Sequence, residues 1–341
     1  MILDGRNEGA ISAAAQALAA GELVGLPTET VYGLAADADN AAAIAKIFAA
    51  KGRPADHPLI VHVADANGVA HFASEVPDFA SALIKAFWPG PLTLILPRQP
   101  DVATAAAGGQ NSIGLRCPSH PVAQALLQAC RAHAAKPVWG VAAPSANMFG
   151  RVSPTTAQHV HDEFGGDLLV LDGGACSVGI ESTIIDCTRG APVLLRPGAI
   201  TREQVQAVCG TQVFSQDAMQ ALDKAAPRAS GTLESHYAPK AKVRLMDAKA
   251  LQTALDLLAR DVDGKVGAPV IATYSRAVLK TPSVTVLRKH MPDDAAATAQ
   301  QLFAVLRAFD DQGVKLIWIE TPPADHAWDG VRDRLQRAAA G

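Results

Sequence analysis

Lys51 and Arg53 stand two residues apart around a glycine in Lys51-Gly52-Arg53-Pro54, and Ser145 and Asn147 repeat that spacing in Pro144-Ser145-Ala146-Asn147. A lysine is a compact point charge and an arginine a planar fork, so the pair suits adjacent phosphates. A serine hydroxyl and an asparagine amide add neutral hydrogen-bonding groups on a turn. If the two segments meet, they can hold a polyphosphate, and the chain has no G-x-x-x-x-G-K-[ST] loop to do so otherwise. Each half also has an ordinary reading. Cations in a last helical turn favour the helix dipole, with glycine as the usual terminator. Ser and Asn are common turn and cap residues.

Other segments carry more polar chemistry than their positions require. Pro27-Thr28-Glu29-Thr30-Val31-Tyr32-Gly33-Leu34 offers two hydroxyls, a carboxylate and a phenol between a predicted strand and a predicted helix. His57 and His62 flank a buried-type strand. A histidine on an apolar run is usually a core residue, and no cysteine or carboxylate pair stands beside these two, so no metal site is expected. His62 in Ile60-Val61-His62-Val63 is nevertheless costly to bury without a partner. The stretch from Asp172-Gly173-Gly174 to Glu181-Ser182-Thr183 is a glycine-rich turn entering a strand, whose N–H groups and Ser182 hydroxyl suit an anion. Leu195-Arg196-Pro197-Gly198 puts an arginine at a strand end. No G-x-S-x-G elbow appears, which disfavours acyl-enzyme hydrolysis.

These residues need a scaffold, and the pattern supplies an α/β one. Apolar runs alternate with helical segments almost to the end of the 341 residues. A helix is predicted over 10–20, stopped by Gly21, and another from an Asn40 cap to Gly52. Strands are predicted near 22–26, 58–63, 92–96, 113–116, 138–142, 168–171, 183–186 and 193–195, with a helix over 121–132. Residues 210–240 are polar and weakly periodic, which reads as a long ordered linker; loops of that length are either functional or disordered. His236 and Tyr237 stand side by side in it, which favours a structured loop over the site. From Val243 the alternation resumes as a small parallel, Rossmann-like layout, with strands near 269–272, 284–287 and 315–319 and helices near 251–260, 294–309 and 328–338. It lacks G-x-G-x-x-G after its first strand, so dinucleotide binding is not indicated. The expected division is 1–207, 208–240 and 241–341.

With 49% hydrophobic residues the chain can bury ordinary cores, yet no apolar run approaches the ~20 residues needed to span a bilayer. The first residues lack a basic-then-apolar leader, and the five cysteines include no C-x-x-C pair. A reducing, cytosolic setting is therefore expected, without structural zinc or a disulfide framework. A net charge of −3 argues against a tight, sequence-independent grip on nucleic acid.

The ordered set P-T-E-T-V-Y-G-L, K-G-R-P, H-P-L-I-V-H, W-P-G-P-L-T, P-S-A-N, D-G-G, E-S-T and L-R-P-G resembles the YrdC-like superfamily over roughly residues 8–205. H-Y-A-P and the second α/β region look like its two-domain, threonylcarbamoyl-AMP synthase form. The resemblance implies a YrdC-like twisted open mixed sheet domain followed by the smaller Rossmann-like parallel domain. It also implies a nucleotidyl transfer in which L-threonine, bicarbonate or CO2, and ATP with Mg2+ give threonylcarbamoyl-AMP and pyrophosphate. A tRNA threonylcarbamoyl-transferase system would take the product, with at most transient tRNA contact here. Carried over by motif, Lys51, Arg53, Ser145 and Asn147 match the catalytic quartet. Arg53, His57, Ser112, Ser145, Ser153, Arg196, His236 and Tyr237 would hold ATP. Thr30, His62, Arg116, the Ala143 backbone and Ser182 would hold threonine, with Arg116 as the natural partner of its carboxylate. Ser230-Gly231-Thr232-Leu233 departs from the Pro-Gly that relatives often carry after the first position. Two other readings stay open: a carbamoyl-adenylate-forming carbamoyltransferase, disfavoured by the missing C-x-x-C, and a non-catalytic RNA-binding module, disfavoured by the acidity. Arg53, read as an exposed helix-end residue, is expected to matter little for stability.

Overall fold

The computed structural model describes residues 1–215, 218, 227–229, 236–262, 271–277, 279–281, 283 and 285–341. It divides into two compact units, Met1–Phe149 with Ser153–Thr232, and Gly150–Val152 with Leu233–Gly341.

The first unit is built on one mixed sheet. Its strands are β1 (Ile2–Asp4), β2 (Val24–Leu26), β3 (Gly33–Asp37), β4 (Ile60–His62), β5 (Leu92–Pro97), β6 (Ser112–Arg116), β7 (Val141–Ala142), β8 (Leu169–Asp172), β9 (Thr183–Asp186), β10 (Val193–Arg196) and β11 (Phe214–Ser215), in the order β1-β8-β2-β3-β7-β4-β6-β5-β9-β10-β11. The period-two alternation of side chains divides its two faces. On β3, Leu34 and Ala36 join one core while Ala35 joins the other; on β7, Ala142 and Val141 divide the same way. Helices α1 (Glu8–Ala19) and α5 (Pro121–Arg131) cover one face through Ile11, Ala14, Leu18, Val122 and Leu126. Helices α2 (Ala41–Lys51), α3 (Ala66–Phe72) and α4 (Asp78–Phe87) cover the other through Ile44, Ile47, Phe72 and Leu83.

The half-sheet β4-β6-β5-β9-β10 is covered differently. Leu92, Leu94, Leu96, Leu115 and Ile185 feed the large core on one face. Among the described residues the opposite face carries a small cluster of Ile95, Ile184, Val193 and Leu195, joined by Ile60, Phe214 and Ala229. By strand parity the side chains of His62, Ser112, Arg116 and Thr93 share that lightly covered face with Ile60 and Ile95, and Gly114 leaves it open between them.

Two backbone features shape this face. On β10 the register with β9 shifts between Leu194 and Arg196, and Arg196 pairs with Ile184. A bulge of this kind re-aims a side chain that simple alternation would send elsewhere. Just beyond it, a Cβ on Gly198 would lie 2.5 Å from the Thr183 amide nitrogen and 2.8 Å from the Glu181 carbonyl. Backbone cannot yield as a side-chain tip can, so Gly198→Ala is expected to cost about 1–3 kcal/mol. Denaturant unfolding measures this, and an unchanged midpoint would contradict the tight approach.

The second unit holds the parallel strands β12 (Lys242–Met246), β13 (Ile271–Ser275), β14 (Leu287–His290) and β15 (Leu316–Glu320), in the order β12-β15-β13-β14. Helices Ala248–Val262, Ala295–Asp311 and Asp329–Ala339 accompany them. The parallel, Rossmann-like expectation agrees with this sheet. The strand expected near 284–287 instead runs Leu287–His290, with residue 284 outside the described set. No described helix is long and apolar enough to cross a membrane.

Candidate active site

The quartet begins at the end of α2. Gly52 adopts a left-handed φ of 62°, and the Gly52 and Arg53 amides donate to Ala49 O at 3.3 Å and Phe48 O at 3.0 Å. This is the glycine stop that the spacing predicts, and it throws Lys51 and Arg53 in different directions. Lys51 turns inward and is only 2% exposed. Its Nζ donates to the Ser145 carbonyl at 2.5 Å and to the Asn147 carbonyl. The Phe149 amide returns a bond to the Lys51 carbonyl at 2.9 Å. Arg53 is 9% exposed, so the structure corrects the expectation of an exposed residue. Its Nη2 donates to Pro58 O at 3.0 Å, and its guanidinium lies 5.7 Å from the Phe149 ring centroid. His57 meets the same ring edge-on at 5.6 Å. Burial, then the nearby Arg53 charge, lowers the His57 pKa, which favours neutral imidazole.

The loop bearing Ser145 and Asn147 is tied to β3 as well. Leu34 N donates to Pro144 O at 2.8 Å, Ala146 N donates to Tyr32 O at 2.8 Å, and Gly33 pairs with Ser145. A Cβ on Gly33 would approach the Ala143 Cβ to 2.9 Å, which accounts for the glycine. Thus the two segments singled out in the sequence do meet, through Lys51.

A second cluster forms where several strand ends converge. β4 and β6 are parallel and end in register at His62 and Arg116. β5, antiparallel to β6, and β9, parallel to β5, begin beside them. Thr28 folds the 28–31 turn on its own hydroxyl, which donates to Val31 O at 2.6 Å and meets Thr30 Oγ1 at 2.9 Å. That turn presents Thr30 and Glu29 to Arg116. Arg116 Nη1 donates to Thr30 Oγ1 at 2.7 Å, Nε donates to Gly90 O at 3.3 Å, and Nη2 lies 2.6 Å from Glu29 Oε1. The Ser119 amide donates to Glu29 Oε2 at 3.2 Å. His62 is fully buried; burial, then the Arg116 charge, pushes its pKa down to about 3, so the ring is neutral. Its Nδ1 has no hydrogen-bond partner.

Arg196 Nε donates to Ser182 O at 3.0 Å and Nη2 donates to Ser182 Oγ at 3.1 Å, while Ser182 Oγ meets Thr93 Oγ1 at 2.7 Å. Ser153 Oγ donates to Glu181. The Ala143 amide is used on Ile60 O at 3.0 Å. Ser112 lies at the opposite end of β6 from Arg116, four residues and ~13 Å along the strand. It borders a small cavity with Pro58, Thr93, Gly114, Ile184 and Arg228. Of the linker, residues 227–229 lie here: Arg228 pairs with Asp56 at 2.5 Å and exchanges two bonds with the Gln110 side chain. Residues 230–235, including the Ser-Gly-Thr-Leu departure, lie outside the described set.

His236 and Tyr237 belong to the second unit. There Tyr237 is buried, with a left-handed φ of 61°, its ring 5.5 Å from Phe303 and 5.2 Å from the Arg334 guanidinium carbon. The His236 amide donates to Arg337 O at 3.3 Å.

Sequence reasoning passed over Glu29, Thr93, Glu181 and Phe149 as members of these clusters. Glu29 and Glu181 stand in segments singled out above and Thr93 ends the W-P-G-P-L-T motif, but none of the three was given a role; nothing local marked Phe149.

Residues 16–198 match the family described as telomere recombination, the Sua5, YciO and YrdC group. Residues 200–340 match the threonylcarbamoyl-AMP synthase C-terminal domain. The chain is 38% identical to the threonylcarbamoyl-AMP synthase of Bacillus subtilis over 338 residues, covering 98% of this chain and 94% of that protein. It is 36% identical to the protein of that name from Pyrococcus abyssi, covering 98% and 95%. A crystal structure of P. abyssi Sua5 complexed with L-threonine superimposes with a TM-score of 0.85 at 35% identity, covering 98% of this chain and 95% of that one. The chain belongs to the two-domain threonylcarbamoyl-AMP synthase family.

Proposed function

We propose that this site joins L-threonine, bicarbonate or CO2, and ATP into L-threonylcarbamoyl-AMP, releasing pyrophosphate. The observation that carries the reading is the buried Arg116, held by Thr30 and Glu29 at the convergence of β4, β5, β6 and β9, in a chain whose P. abyssi relative has been solved with L-threonine. An arginine fixed in this way is a preformed partner for an amino-acid carboxylate. Ser182, His62 and Thr30 surround the same strand ends, and the unpartnered His62 Nδ1 offers a polar contact to a small hydroxylated substrate.

ATP is assigned, by the motifs they stand in, to Arg53, His57, Ser112, Ser145, Ser153 and Arg196. In the reaction the neutral threonine amine takes up CO2 as a carbamate, losing a proton. A carbamate oxygen then attacks the α-phosphorus in line, the bond to the β-phosphate oxygen breaks, and pyrophosphate departs. No protein nucleophile is needed, so catalysis consists of positioning and charge neutralisation. Mg2+ enters with ATP as the counter-ion of its phosphates; among the described residues no group of three or more His, Cys, Asp or Glu could cage a metal ion. The tRNA-modifying step that consumes the product is assigned to a separate enzyme system.

Incubation with 13C-bicarbonate, threonine and ATP tests this reading. A labelled adenylate whose mass includes threonine and one carbon dioxide supports it; AMP or ADP formed without label incorporation contradicts it.

A further inference from the structure

We propose that Lys51 is a positioning residue, an amine strut that sets the 145–147 loop, and that it does not itself hold the phosphates of ATP. This rests on the synthase reading above for its kinetic consequences, though not for its structural ones. The geometry carries it. Lys51 Nζ sits between two main-chain carbonyls of one loop, those of Ser145 and Asn147, and the side chain is fully buried. The loop is also clasped to the Lys51 main chain through Phe149 N. Two N–H donors are thereby committed to the loop carbonyls, and a neutral amine has no third. Its effect on a ligand is then exerted through what the loop carries, the Ser145 side chain, which remains partly exposed.

The charges facing Lys51 are Arg53 beyond the helix end, Glu163 on the helix Ala157–Phe164, and Glu181 before β9. Burial, followed by the Arg53 charge, lowers its pKa from 10.5 to about 7, against the opposing pull of the two glutamates. Between about pH 7 and 10.5 the unfolded chain binds the extra proton and the folded chain does not, so stability from this group rises with pH across that window. Below pH 7 both states are protonated and the burial penalty is fully present.

The test is a double-mutant cycle with Lys51→Met and Ser145→Ala on the full chain, read as kcat/KM for ATP, with thermal unfolding of the wild type and Lys51→Met from pH 6 to 10. A strut predicts coupling: with Ser145 already removed, Lys51→Met costs no more than about threefold, although alone it costs at least tenfold. It also predicts that the wild-type Tm gains on the Lys51→Met Tm as pH rises from 7 to 10. Lys51→Arg does not rescue, because a planar guanidinium does not fit between two carbonyls spaced for a single nitrogen. Independent, multiplying losses with rescue by arginine would overturn the proposal in favour of a phosphate clamp. A parallel pH dependence of the two Tm values would overturn it without any catalytic assay. A wild type that makes no adenylate would defeat the synthase reading while leaving the unfolding comparison in force.

Discussion

Arg116→Ala is expected to raise the KM for threonine by about 100-fold or more while moving the KM for ATP by less than about threefold. Two charge-assisted hydrogen bonds to a carboxylate account for that size at ~1.5–3 kcal/mol each, with every 1.4 kcal/mol a factor of ten. The same substitution has a structural cost. Glu29 lies 2.6 Å from the Arg116 guanidinium, and both side chains are buried. Removing the arginine strands a buried carboxylate, which costs about 3 kcal/mol or more. The double variant Arg116→Ala/Glu29→Gln is therefore expected to recover much of the stability and none of the threonine affinity. Steady-state kinetics on both substrates and denaturant unfolding of the two variants check this. Equal losses for threonine and ATP would contradict the assignment of Arg116, and a double variant no more stable than the single one would contradict the ion pair.

The second large effect is expected from Arg53→Ala, a drop in kcat/KM for ATP of about 10²–10³-fold, the scale of losing one preorganised charge contact in a transition state. Unlike Lys51, Arg53 leaves its guanidinium at the site, spread between Pro58 O and the Phe149 ring. Those contacts give it a structural role too, and a stability loss of ~1–2 kcal/mol is expected. Arg53→Lys should restore stability poorly, because a lysine neither stacks on the ring nor forks. Single-turnover pyrophosphate release separates binding from chemistry here. Near-normal turnover in Arg53→Ala would remove the residue from the phosphate site.

Several parts of this arrangement were legible in the residues alone. The helix stop at Gly52 followed from spacing, and the observed glycine conformation and its paired hydrogen bonds agree with it. The buried strand around His62 and the strand ending at Arg116 were legible from their apolar runs, and their parallel register brings the two residues to one strand end. The strand Gly33–Asp37 was missed because Gly-Leu-Ala-Ala-Asp has no β-branched residue and follows a polar turn; burial on both faces makes it a strand. Helix Asp78–Phe87 was missed too, although it is strongly amphipathic. The inward turn of Lys51 could not be seen from sequence, since the same Lys-Gly-Arg spacing serves a phosphate clamp or a buried strut equally well. Nor could the bulge at Arg196, which depends on a pairing between β9 and β10 rather than on local pattern. Long-range register decides such features, and a single chain read linearly does not contain it in any local form.

On the function proposed above, this chain adenylates a carbamate of threonine. Pyrophosphate release from ATP, with Mg2+ and bicarbonate, measured with L-threonine, with L-serine and with no amino acid, tests it most directly. Release is expected to depend on bicarbonate, to be fastest with threonine, and to be close to background without an amino acid. Release indifferent to threonine, or unchanged when bicarbonate is removed, would contradict it.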